Sequence, residues 1–209
     1  MDKSIQDALE DRVAAYYSDK IEKHGISPQG VDWNSSDSQE NRFLQFLKLV
    51  DMNREFVIND LGCGYGALYQ FLKERNFGPF KYVGYDLSEK MIQAARSMHS
   101  EDNCKFVLGG APSEADYTVA SGIFNVRLET PDEIWEKYIF SSLDSLNSAS
   151  SKGFAFNMLT SYSDKEKMRD YLYYANPCFF FDWCKQKYSR EVALLHDYGL
   201  YEFTILVRK

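Results

Sequence analysis

The sequence is poor in the residues that build disulfide frameworks and metal centres. Its four cysteines (Cys63, Cys104, Cys178 and Cys184) are scattered, no two at CxxC spacing and none joined to a histidine at a zinc-site interval. With only three histidines in 209 residues, a zinc or disulfide scaffold is disfavoured. No bound metal is expected, and the thiols read as reduced, as in a cytoplasmic protein. The opening stretch MDKSIQDALEDR lacks the apolar segment of a secretion signal. No apolar run approaches the roughly 20 residues of a membrane helix, so no membrane partner is expected. There is no Lys/Arg run either, and the net charge of -7 repels a phosphate backbone, which argues against nucleic acid as a partner. Repeats and low-complexity linkers are absent, and the length suits a single domain over 1–209.

What the chain does have is periodicity. Apolar positions Ile5, Ala8, Leu9, Val13, Tyr16, Tyr17 and Ile21 form a helical stripe over 3–23. A Gly/Pro-punctuated loop follows, and Ser36 with Gln39 reads as a capping box opening a second helix that carries Phe43, Phe46, Leu47 and Val50. Residues 1–50 are expected to form a helical lid on a core spanning 51–209. From residue 56 strands and helices alternate. Strands are expected at 56–60, 81–86, 104–110, 116–121 and 152–159, with a helix capped by Ser88 and another starting at Thr130-Pro131. An aromatic-rich insertion occupies about 160–177. EVALLHDY and LYEFTILVRK, joined near Gly199, read as two closing strands that a short turn forces to pair antiparallel. The predicted fold is therefore α/β: a doubly wound, mostly parallel seven-stranded sheet closed by an antiparallel C-terminal hairpin.

The strongest local signal is Asp60-Leu-Gly62-Cys63-Gly64-Tyr-Gly66, placed between a strand and a helix. Glycines there permit a tight turn and let a ligand approach the backbone. Asp86 ends the next strand, about 20 residues beyond the loop, where a carboxylate can accept hydrogen bonds from ribose hydroxyls. The ligand class is an adenosine derivative. Because Ala67 also completes GxGxxG/A, a nicotinamide or flavin dinucleotide remains an alternative. Against it, Asp60 would repel a pyrophosphate but attract an ammonium, Gly66 gives GxGxG spacing, and the chain ends in a hairpin where a dehydrogenase usually carries a substrate domain.

The segments VINDLGCGYGALYQFL and KYVGYDLSEKMIQAAR and the terminal hairpin resemble the class I methyltransferases that use S-adenosylmethionine (SAM), with their Rossmann-like sheet, over about residues 36–209. The resemblance implies that Gly62, Gly64 and Gly66, with Cys63 between them, surround the methionine part of SAM. It further implies that Asp86 holds the ribose and that Asp60 contacts the amino-acid end. Leu87, Met91, Gly110, Ala111 and Ser121 complete the cofactor set. The segment Leu108-Gly109-Gly110-Ala111 lacks the acidic residue that often meets the adenine amine in this family, so backbone and apolar neighbours are expected to hold that ring. Among the N-terminal residues, Tyr17 is a cofactor candidate beside Trp33, and Arg42 is a candidate partner for SAM's carboxylate, with a core-packed or solvated role as the alternative.

The expected acceptor is a small molecule methylated at oxygen or nitrogen. It would lie beyond the carboxyl ends of the strands, near Asn125, the 160–177 insertion and His196. His196 is the candidate base or orienting group, and Asn125 is the other catalytic candidate. No NPPY-type tetrapeptide and no Pro-Cys follow the fourth strand, where SGIFN stands. That argues against the amide, adenine-amino and cytosine-C5 subclasses. A dinucleotide oxidoreductase and a non-catalytic SAM-binding partner protein are the competing functions.

Overall fold

A computed structural model describes residues 2–33 and 35–209. Helix α1 (Lys3–His24) is capped by Asp2, whose side chain accepts from the amide of Ser4, and ends at Gly25. A single 3-10 turn (Pro28–Val31) leads to α2 (Ser36–Leu47). The cap of α2 is Ser35, whose hydroxyl accepts from the amide of Ser38. This is one residue earlier than expected: in a run of two serines the spacing alone does not select the one with extended backbone.

Seven strands follow in the order β3-β2-β1-β4-β5-β7-β6. They are β1 (Phe56–Leu61), β2 (Phe80–Asp86), β3 (Cys104–Leu108), β4 (Ala115–Ala120), β5 (Ser150–Leu159), β6 (Val192–Leu195) and β7 (Glu202–Arg208). Between them lie α3 (Ala67–Glu74), α4 (Glu89–Met98), α5 (Asp132–Ala149) and α6 (Pro177–Lys187). The first five strands pair in parallel, while β7 is antiparallel to both β5 and β6. The expected sheet and its closing hairpin are thus present. The central strands are buried on both faces, as a sheet covered by helices requires.

Two apolar cores form, one on each face. The first joins Leu9 and Val13 of α1 to Trp135, Ile139 and Leu143 of α5, to Phe180 and Cys184 of α6, and to Phe154, Phe156 and Phe203 of the sheet. The second joins Phe43, Phe46 and Leu47 of α2 to Leu68, Phe71 and Leu72 of α3 and to Ile92 and Ala95 of α4. Helix α1 and the loop after it stand over the carboxyl edge of the sheet, whereas α2 packs its apolar stripe into the second core.

Candidate functional site

The parallel register brings the carboxyl ends of β1, β2 and β4 to one edge, with Leu61 opposite Tyr85 and Ala120. The strand order reverses there, between β1 and β4, which is where ligands bind in open α/β sheets. A cavity with about 910 Å³ of empty space, its open mouth included, lies at this point. Its floor is Leu61, Gly62 and Gly64, and Asp86, Leu87, Met91, Gly109 and Gly110 form one side. Ser121 and Ile123 form the other. Gln6, Glu10, Val13, Ala14 and Tyr17 of α1 cover it, together with Val31 and Trp33.

The three loop glycines all have positive φ (78°, 55° and 87°), a region other residues enter only with strain. The amides of Gly62 and Cys63 donate to the Tyr85 carbonyl (2.8 and 3.0 Å), and that of Gly64 donates to Asp86 Oδ2 (2.9 Å). A Cβ on Gly62 would come within 2.2 Å of Ile123 Cγ2, and one on Gly64 within 2.7 Å of Val31 Cγ1. Both neighbours are cavity walls, so these two glycines keep the cradle open. Gly66 differs. Its Cβ would strike His99 and Phe106 (2.8 and 3.1 Å), so the third glycine serves the packing of α3 and does not line the cavity.

Two buried carboxyls face this region. Asp60 accepts from the Tyr82 hydroxyl through Oδ2 (2.7 Å), but its Oδ1 is buried with no hydrogen-bond partner among the described residues. Burial pushes its pKa up to about 7, against the opposing Tyr82 hydrogen bond. The hydroxyl of Ser121 is likewise buried and unpartnered. Asp86 is pushed up to about 6, again by burial, with the amides of Ser88 and Gly64 opposing. Buried polar atoms left without partners are uncommon in finished structures. Asp60 and Ser121 both border one small recess beside the cavity, where a polar ligand could complete them.

A second cavity, about 1370 Å³ with its open mouth, adjoins the first and shares Tyr17, Val31 and Trp33 with it. Asn125, Leu159, Ser163, Tyr171, Tyr174 and Tyr201 line it, as do Asp32, Arg42 and Glu202. The 160–177 insertion is fixed against it by backbone bonds from Tyr173 to the Asn125 carbonyl (2.8 Å) and from Leu128 to the Tyr171 carbonyl (2.9 Å).

Gly62, Gly64, Asp86, Leu87, Met91, Gly110, Ser121 and Tyr17 therefore stand on the first cavity's wall. Asp60 and Cys63 line a smaller adjoining recess, with the Cys63 thiol buried and its pKa pushed well up. Ala111 is exposed and lines neither cavity. Asn125 is buried on the second cavity, its Oδ1 accepting from the Leu159 amide (3.0 Å). Two further expectations need correction. Arg42 is held in a buried, two-pronged ion pair with Glu202 (2.7 and 2.8 Å), and its remaining amine donates to the Ser38 carbonyl. Three of its five N–H donors are used in these bonds, and it lines the second cavity and not the first. His196 follows β6, the outer edge strand, and β7 separates that strand from β5. The imidazole is exposed against Tyr162 and Phe203 and lines neither cavity. His196→Asn is accordingly expected to change SAM affinity and methyl transfer by less than about twofold, read by calorimetry and a label-transfer assay. A tenfold loss would return the histidine to the site.

The sequence reading missed the wall supplied by α5, namely Tyr138, Ser141, Ser142 and Ser145. A usable signal was present, since small polar residues interrupt the apolar stripe of that helix. It also missed Gln6 and Glu10, which share the face of α1 with Val13 and Tyr17 through i, i+4 and i+7 spacing.

A strand-loop-helix glycine cradle at the switch point, a carboxylate ending β2 and an antiparallel terminal hairpin define the class I methyltransferase architecture. The family model of the methyltransferase domain matches residues 58–130. A methyltransferase-family protein of Mycobacterium tuberculosis is 56% identical over 165 residues, covering 78% of this chain and 99% of its own. The chain belongs to the SAM-dependent methyltransferases. Among solved structures, a SAM-dependent methyltransferase of Leishmania major has a TM-score of 0.67 at 14% identity, covering 96% of this chain and 83% of that one. Magnesium protoporphyrin IX methyltransferase of Synechocystis PCC 6803 with bound SAH scores 0.60 at 12% identity, over 83% of each chain. Human N-acetylserotonin methyltransferase in complex with SAM scores 0.59 at 16% identity, over 96% of this chain and 56% of its own. These three share the fold. The protein is an enzyme with SAM as its cofactor, which sets aside the dinucleotide and non-catalytic readings of the glycine loop. Among the described residues no helix is long and apolar enough to cross a membrane, and no cluster of His, Cys, Asp and Glu could hold a metal ion.

Proposed function

We propose that the protein methylates an oxygen or nitrogen atom of a small molecule held in the second cavity, with SAM in the first. The observation that carries this reading is the shared wall of Tyr17, Val31 and Trp33. Two cavities that meet at one partition allow a donor and an acceptor to face each other. Human N-acetylserotonin methyltransferase, which shares the fold, acts by its name on a small molecule.

The residues fit the cofactor. Asp86 would accept from the ribose hydroxyls while keeping the Gly64 and Ser88 amides on its inner lone pairs. The unpartnered Asp60 Oδ1 and Ser121 hydroxyl would receive the polar amino-acid end. Leu87, Met91 and the Gly109-Gly110 backbone would enclose the adenine. SAM supplies a methyl group on a sulfonium, ready for in-line displacement, so the protein's task is orientation and exclusion of water. Tyr17 stands at the partition with its pKa raised by burial and by the Asp32 and Asp86 charges. It keeps its proton near neutral pH and orients by hydrogen bonding. Asn125, with Oδ1 engaged by Leu159, would orient an acceptor through its amide nitrogen. Asp32, bound by Lys20 and Tyr16, and Glu202, bound by Arg42, are already paired.

The raised Asp60 pKa gives a pH signature. Below about 7 the free protein holds this carboxyl protonated, and an ammonium pairs only with the carboxylate. SAM affinity should therefore rise from pH 5.5 to 7, then fall as an α-amino group deprotonates near about 7.7–8.0. Calorimetry across pH 5.5–9 should show that optimum, and Asp60→Asn should flatten its acid limb; an acid limb that persists in the variant would detach Asp60 from the cofactor. The raised folded-state values of Asp60 and Asp86 also lower the free protein's stability as pH rises from about 4 to 7.

The reading itself is tested by incubating the protein with methyl-labelled SAM and a fractionated extract of its source cells. Label should enter the low-molecular-weight fraction. Label confined to protein or nucleic acid would overturn it.

A further inference from the structure

Trp33 lines both large cavities and the small recess beside Asp60. It sits on no regular element, yet three separate contacts hold it. Its amide donates to the Pro28 carbonyl (2.8 Å), closing the 3-10 turn. The adjacent Asp32, in left-handed backbone conformation (φ 63°), is clamped to α1 by the Tyr16 hydroxyl (2.8 Å) and by Lys20 (2.6 Å). On the other side the guanidinium of Arg42 lies 3.7 Å from the centroid of the Trp33 ring.

That guanidinium belongs to a buried chain of polar groups. Arg42 pairs with Glu202, Asn157 Nδ2 donates to Glu202 Oε2 (2.7 Å), and Asn157 Oδ1 accepts from the Gly122 amide (2.7 Å). The chain returns to its start, because a Cβ on Gly122 would lie 2.4 Å from Cη2 and Cζ2 of Trp33. One closed circuit thus sets the plane over which the ring stacks and the backbone against which its edge rests. A planar, doubly bonded guanidinium presents a fixed face to an indole, which lysine cannot reproduce.

We infer that Arg42, with Glu202 and Asn157, is a positioning residue whose task is to hold Trp33 as the partition between the donor and acceptor cavities. The inference rests on the reading of the first cavity as the SAM site. It explains why a buried ion pair, which contributes little net stability over apolar replacements, stands beside an acceptor cavity. It also separates Arg42 from a direct cofactor contact: Arg42 touches the ring, and the ring bounds the cofactor space.

The test is a double-substitution cycle with S-adenosylhomocysteine (SAH) as probe, using Arg42→Lys, which keeps the charge facing Glu202, and Trp33→Phe. Each single change should weaken SAH about fivefold to tenfold by calorimetry, and the double variant should be no weaker than the worse single one. The part of the tryptophan emission that Trp33→Phe removes should shift in Arg42→Lys. It should shift again in Gly122→Ala, whose added Cβ would press on the edge of the ring while both charges of the ion pair are kept. Additive losses, or Arg42→Lys with parental SAH affinity and parental Trp33 emission, would overturn the inference. Asp86→Ala is the control. If it leaves SAH affinity intact, the cavity assignment fails and the inference falls with it. If it weakens SAH while the cycle is additive, the inference alone falls.

Discussion

Replacing Asp86 by alanine is expected to weaken SAM binding on the order of 100-fold or more. The carboxylate accepts from the Gly64 amide and the Ser88 amide (2.9 and 2.8 Å), so its loss strands two backbone donors as well as the ribose hydroxyls assigned to it. A buried donor left unpaired costs about 1–3 kcal/mol, and roughly 1.4 kcal/mol is tenfold in affinity. The two stranded amides destabilise the free and the bound protein alike, and the loss of the two ribose hydroxyl contacts gives the stated range. Asp86→Asn retains one acceptor oxygen and should lose distinctly less. Calorimetry with SAM measures both variants, and affinity within fivefold of the parent for the alanine variant would remove Asp86 from the cofactor site.

The largest effect on stability is expected at Glu202. This side chain is buried at the start of β7, where both prongs of Arg42 and the amide of Asn157 converge on it. Glu202→Ala leaves a guanidinium uncompensated in the interior and should cost about 3–5 kcal/mol. For a chain of this size that is a fall in Tm on the order of 10 °C. The double variant Arg42→Met/Glu202→Leu removes the stranded charge and should recover much of the loss, with Asn157 still short of a partner. Thermal unfolding of the three proteins reads this directly. A single variant as stable as the parent, or a double variant less stable than the single, would contradict the account.

Much of this molecule is written locally. The alternation of strand and helix from Phe56 onward, the hairpin closed near Gly199 and the glycine run after Asp60 depend on side-chain period and on backbone freedom. Both are properties of neighbouring residues. Ser88 is legible for the same reason: its hydroxyl caps α4 by accepting from Met91 three residues on. Asp86 is legible because the end of β2 is adjacent in space to the loop after β1 in any sheet of this winding.

The other residues depend on contacts that sequence separation conceals. Arg42 carries every mark of a surface or cofactor-binding arginine until β7 places Glu202 against it, 160 positions away. His196 has the chemistry of a base but follows an edge strand, and only the order β5-β7-β6 moves it away from the cavities. Gly66 matches the loop pattern, yet its freedom from a side chain is needed by His99 and Phe106, which come from α4's end and β3. The serines of α5 and the partition at Trp33 exist only once separate elements have packed. The sequence by itself determined the fold class, the glycine loop after β1 and the carboxylate that ends β2 beside it, because periodicity and turn geometry act within a few residues. Tertiary structure alone decided which polar groups are already paired and which face a cavity, because burial and pairing depend on partners that the chain brings together only when it folds.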